Sequence, residues 1–226
     1  MDKKTKWLVG IFLTVELLLY VSILFLRLNV PSGLFHYLSI VICLLFVLGL
    51  RQNDRDTQII RFAMIFTVLA DLFLTLLGIQ QLLGTIFFTV AQLAYAYRLL
   101  LRETTSRNIL LIGRVVFVVI MELVAWFIVR SQMDALIFCA VFYYANLLVN
   151  AFHAILRFRY NPLFAMGLCF YLCCDLMVGL SNSSGYVTIP NGSLWAFLLA
   201  IPFNLTWFFY LPSQVMIVLS VLPKRA

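Results

Sequence analysis

An all-α bundle of eight transmembrane helices is the fold class this sequence predicts, and three observations predict it. Hydrophobic residues make up 64% of the chain and charged residues only 11%, with a mean hydropathy of +1.05, which excludes an ordinary soluble domain of 226 residues. Apolar runs long enough to cross a bilayer, about 20 residues each, recur along its length. The basic residues sit almost wholly on one side of those runs, as cytoplasmic loops require. The whole chain, 1–226, reads as a single integral membrane domain with almost nothing left for an extramembrane one.

The first span, Trp7 to Leu26, follows Lys3, Lys4 and Lys6 in the manner of a signal peptide. It is long and lacks a small-residue cleavage site, so it is expected to be a retained helix. The second, Gly33 to Leu50, leads to Arg51, Arg55 and Arg61; the third runs from Ile59 to Gly78 and the fourth from Leu82 to Leu101, with Arg98 near its end and Arg102 and Arg107 beyond it. The fifth, Ile109 to Val129, carries Arg114 just inside it; the sixth, Ala135 to Leu156, leads to Arg157 and Arg159. The seventh is Pro162 to Ser181, and the eighth, Leu194 to Val221, precedes Lys224 and Arg225. Thirteen basic residues then face one side and only Arg27 and Arg130 the other, which puts both termini in the cytoplasm. The net charge of +7 follows from this topology and from attraction to anionic headgroups; no patch of basic residues interleaved with exposed aromatics suggests nucleic acid. The five cysteines all fall inside spans, where they read as small packing residues.

Four carboxylates lie within the odd-numbered spans: Glu16, Asp71, Glu122 and Asp175. An acid at such depth is costly and marks a functional site by default. The interval from Glu16 to Glu122 resembles that from Asp71 to Asp175; a parallel duplication with halves 1–105 and 106–226 and a chance agreement both account for it. Even-numbered spans answer with neutral polar stripes. Tyr143, Asn146, Asn150 and His153 recur every three or four residues and share one face of the sixth span. Asn204, Trp207, Tyr210 and Gln214 do so in the eighth, where Pro202 and Pro212 predict kinks, and Gln92 and Tyr95 share a face of the fourth.

Several chemistries lack their residues. Only His36 and His153 are available as imidazoles, so no histidine-rich metal set is expected, and no cofactor is implied. No lysine occurs between Lys6 and Lys224, which eliminates a retinal Schiff base, and no G-x-S-x-G elbow is present. What remains is a carboxyl pair in contrasting environments, one protonated as general acid and one activating water, for which Asp71 and Asp175 are the candidates. Such a pair cleaves acid-labile C–O bonds through oxocarbenium-like states.

The third and fourth spans read A-D-L-F-L-T-L-L-G and L-L-G-T-I-F-F-T-V-A-Q-L-A-Y. Through Asp71, Leu74, Gly84, Phe88 and Tyr95 this resembles the YhhN family, the lysoplasmalogenase family of eight-span proteins. A-M-G-L-C-F-Y-L-C-C-D-L-M-V-G-L is similar to a second family segment through Gly167, Phe170 and Asp175, and F-Y-L-P-S-Q-V-M-I to a third through Tyr210 and Gln214. Three positions depart from the family pattern: Gln92 stands where it has His, Ala70 where it has Gly and Cys174 where it has Ser. The resemblance implies hydrolysis of the vinyl-ether bond of lysoplasmalogens to a fatty aldehyde and a glycerophospho-headgroup, centred on the two aspartates.

Asp71 is thus expected as general acid and Asp175 as the group that activates water, although the two roles are interchangeable at this level. Gln92, Tyr95, Asn146, Tyr210 and Gln214 are expected to position a lipid substrate; Asn150, His153, Glu16 and Glu122 complete the candidate binding set. His153 is either a structural histidine or a replacement for the missing imidazole. The alternatives are a non-catalytic lipid or ion transporter using the same acids, and a protein whose acids merely hold helices together. The membrane is the cytoplasmic one in a bacterium or that of the ER in a eukaryote. The triplets at Asn182 and Asn191 match glycosylation acceptors and do not decide between them.

Overall fold

The computed structural model describes residues 3–25, 32–101, 103, 107–182, 190, 192–201 and 203–223. Arg27, Arg102, Lys224, Arg225, Pro202, Asn191 and most of the Asn182 triplet lie outside them. The described residues are helical nearly throughout: α1 (Lys3–Phe25), α2 (Ser32–Gly49), α3 (Arg55–Asp71), α4 (Gln81–Leu100), α5 (Arg107–Val129), α6 (Ala135–Leu156), α7 (Pro162–Asn182), α8 (Leu194–Leu199) and α9 (Leu205–Leu219). Six are long and apolar enough to cross a membrane, namely α1, α3 with its following turn, α4, α5, α6 and α7; α2 and α9 are apolar but shorter.

Local chemistry sets the helix starts. Asp54 and Asp134 accept from the backbone N–H of Thr57 and Ile137, capping α3 and α6. Asn161 accepts from Phe164 N–H ahead of Pro162, which opens α7 with a residue that needs no donor there. The eighth span corrects the sequence reading. It is two helices and not one kinked helix, because Ser193 caps α8 and Asn204 caps α9 by accepting from Thr206 N–H at 3.0 Å. Asn204 therefore starts a helix instead of joining a polar stripe, while Pro212 is accommodated inside α9.

Helix pairing closes on itself: α2 packs on α3, α3 on α4, α4 on α6, α6 on α7, α7 on α9 and α9 back on α2. Close approach relies on small residues, as expected where apolar burial gives helices no preference for each other over lipid. A Cβ on Gly167 of α7 would come within 2.8 Å of Ile217 and 3.1 Å of the Ser213 carbonyl of α9. The two remaining long helices are peripheral. The buried residues of α1 are Phe12 and Glu16, and those of α5 are Arg114 and Val118, so each offers the inner helices one charged side chain.

Candidate functional site

Asp71 ends α3 where the backbone changes to a π turn, Leu72–Leu76. Such turns break the regular ladder and recur at functional sites. The turn returns Thr75 Oγ1 to Asp71 Oδ1 at 3.0 Å, and Gly33 of α2 admits it closely, since a Cβ there would lie 2.7 Å from the Thr75 carbonyl. The second carboxylate oxygen of Asp71 accepts from Tyr210 Oη of α9 at 2.6 Å. Asp175, two-thirds of the way along α7, accepts from Tyr143 Oη of α6. Asp71 is 2% exposed, and Asp175 is partly buried.

One aromatic cluster joins the two. The ring of Phe88, from α4, lies 5.8 Å from Tyr143, 6.1 Å from Tyr171 and 6.4 Å from Tyr210, and Tyr171 lies 5.4 Å from Tyr210. The Tyr171 hydroxyl is buried with no hydrogen-bond partner among the described residues. Neither aspartate is within ion-pair distance of a described cation, so both are held by neutral hydroxyls.

The polar stripe of α6 is buried on one face, as its spacing predicted, but its members serve different partners. Tyr143 meets Asp175. Asn146 and Asn150 accept from the Arg114 guanidinium at 2.9 and 2.6 Å. Asn150 Nδ2 also donates to the side-chain and backbone oxygens of Gln92 at 2.9 and 2.8 Å. His153 Nε2 lies 3.1 Å from Glu103, which also accepts from Arg157 at 2.6 Å.

These contacts redistribute the candidate residues. Asp71 and Tyr210 meet directly, and Asp175 joins them only through Tyr143 and the aromatic cluster. Gln92, Asn146 and Asn150 form a second cluster around Arg114, one helical turn away along α6. His153 is bound to Glu103 and does not reach the aspartates, so it does not stand in for the missing imidazole. Glu16 accepts from Ser39 Oγ at 2.5 Å and Cys43 at the α1–α2 contact, and the carboxylate oxygens of the partly buried Glu122 on α5 have no hydrogen-bond partner among the described residues; no described interaction links either to the aspartates. Tyr95 is fully buried with its ring 5.7 Å from Phe164, and Gln214 donates to Ser213 at 3.3 Å. Four contributors escaped the sequence reading of the site: Tyr143 as an aspartate ligand, Thr75, Tyr171 and Arg114. Tyr171 was legible as the residue one turn before Asp175, and Arg114 as the lone basic residue inside an apolar run.

A family model described as the YhhN family matches residues 32–221. No match emerged among curated proteins or among solved structures.

Proposed function

This chain belongs to the YhhN family, and we propose that it is a membrane-embedded hydrolase cleaving the vinyl-ether bond of lysoplasmalogen-like single-chain lipids. The observation that carries this reading is the pair Asp71 and Asp175, held at one aromatic cluster by hydroxyl donors and in no ion pair among the described residues. An ion pair locks a carboxyl in its ionised form, whereas a hydroxyl, which both donates and accepts, tolerates either form. Vinyl-ether hydrolysis by a carboxyl pair uses one in each form, an acid to protonate the alkene and a carboxylate to take a proton from water.

Asp71 delivers its proton to the alkenyl carbon remote from oxygen. The double-bond electrons form the new C–H bond, and the ether oxygen shares a lone pair to give an oxocarbenium ion. Asp175 takes a proton as water oxygen bonds to the cationic carbon. The resulting hemiacetal collapses with proton transfer to the glyceryl oxygen, releasing fatty aldehyde and glycerophospho-headgroup for one water consumed. Tyr143 and Tyr210 orient the two carboxyls, Tyr171 faces the same cluster, and Tyr95 and Gln214 position the lipid from the surrounding helices.

The wider reading is an eight-pass bundle, α2 and α9 completing the count, with both termini cytoplasmic. Its halves are 1–105 and 106–226, in which α2, α3 and α4 take the same neighbour order as α6, α7 and α9. The decisive experiment is aldehyde release from alkenyl-glycerophosphoethanolamine by purified protein in detergent, with Asp71→Asn and Asp175→Asn at matched folded yield. Release by the wild type and loss in both variants is expected. Absence of release from well-folded wild type rejects the hydrolase.

A further inference from the structure

Two arginines are more than nine-tenths buried among the described residues, and they differ in how their charge is met. Arg98 forms a bidentate pair with Asp56 at 2.5 and 2.8 Å. Among the described residues Arg114 meets only the amide oxygens of Asn146 and Asn150. The other described carboxylates are committed elsewhere: Glu103 to His153 and Arg157, Asp54 and Asp134 to helix caps, Glu16 to Ser39, and Asp71 and Asp175 to tyrosines. Glu122 shares α5 with Arg114 but lies eight residues on, about 12 Å along the axis. A buried guanidinium with only neutral partners keeps an uncompensated charge, which is costly unless an anion completes the site. Beside it, the fully buried Gln92 has its Nε2 donor without an acceptor, while its Oε1 is bonded to Asn150.

We infer that Arg114, with the Gln92 amide and the Asn146–Asn150 face that aims it, binds the phosphate of the lysolipid headgroup. The inference rests on the hydrolase reading and adds the part of the substrate that chemistry at the aspartates leaves unread. Spacing on α6 supports it. Tyr143, the ligand of Asp175, and Asn146, the ligand of Arg114, are three residues apart, a rise of about 4.5 Å. In a glycerophospholipid five bonds separate the first ether oxygen from phosphorus, roughly 6 Å when extended. A lipid with its ether bond at the aspartates therefore sets its phosphate at the guanidinium, whose fork suits a tetrahedral anion.

Binding is measured by titrating purified protein in detergent with a saturated alkyl-ether glycerophosphoethanolamine, which lacks the cleavable double bond, with the alkylglycerol of the same chain, and with inorganic phosphate. The wild type is expected to prefer the phospholipid over the alkylglycerol by roughly tenfold or more. In Arg114→Gln and in Asn146→Asp that ratio should fall toward one, with alkylglycerol binding retained. Asn146→Asp supplies Arg114 with an internal carboxylate, and it decides the matter if Arg114→Gln fails to fold. An unchanged ratio in folded Asn146→Asp overturns the inference. Inorganic phosphate binding as tightly as the phospholipid also overturns it, by assigning the site to free phosphate. An intact, Arg114-dependent ratio in a protein that releases no aldehyde rejects the hydrolase alone and leaves the phosphate site standing.

Discussion

Acidic residues are handled in two opposite ways in this molecule. At the helix ends Asp56 is clamped by Arg98, which also donates to Ser220 at 2.6 Å, so one guanidinium ties α3, α4 and the end of α9. Glu103 similarly fastens the loop after α4 to α6 through His153 and Arg157. Within the bundle, Asp71 and Asp175 receive tyrosine and threonine hydroxyls and, among the described residues, no cation. Ion-paired acids are fixed in charge and spend it on architecture; hydroxyl-bonded acids remain able to exchange protons.

The comparison breaks most readily at the aspartates. Asp71→Asn and Asp175→Asn should lower vinyl-ether turnover by about 10²–10⁴-fold, the usual share of a general acid or base. Thermal stability should change little, as the amide still bonds its tyrosine. A large drop in folded yield with the surviving fraction fully active would assign these acids to structure instead.

Next in size, Arg98→Ala should destabilise by about 2 kcal/mol, since it removes the buried guanidinium that bonds both Asp56 and Ser220. Its folded fraction should turn over at near wild-type rate, measured by denaturation alongside aldehyde release. Smaller again, Tyr143→Phe and Tyr210→Phe each remove one hydrogen bond, about 1 kcal/mol of stability. Their larger signature should be in turnover, which separates a positioning role from packing.

The smallest effect is on the acid limb of stability. Burial would push the Glu103 carboxyl up, but hydrogen bonds from His153 and Arg157, with the Arg157 charge, hold it below its ordinary 4.5. Asp54 is likewise held low, by hydrogen bonds from Thr57 that outweigh burial. With the folded value below the unfolded one, each adds stability that is present above the unfolded value and lost as pH falls through the folded one. Glu103→Gln should therefore flatten the decline in melting temperature below pH 4.5, with little change in its shape above.

Much of the helical layout was legible because span length and apolarity are properties of the local sequence. The α6 stripe was legible for the same reason, since a spacing of three and four fixes a common face whatever packs against it. The break between α8 and α9 was less so, because Asn204 looks the same as a stripe member and as a cap until its side chain is seen to turn back on Thr206. His153 shows a further limit. Its face was right, yet its partner Glu103 comes from a loop fifty residues earlier in the chain.

By itself the sequence determined that this chain is a bundle of apolar helices with acids placed inside them. These follow from composition, periodicity and the cost of charge in apolar surroundings, none of which requires knowing which helices are neighbours. Only the tertiary structure decided that Tyr210 and Tyr143 hold Asp71 and Asp175, that Phe88 and Tyr171 join them, and that Arg114 turns inward to two asparagines. Those contacts depend on the rotation and depth of each helix, and small-residue contacts such as Gly167 against α9 and Gly33 against the π turn set them.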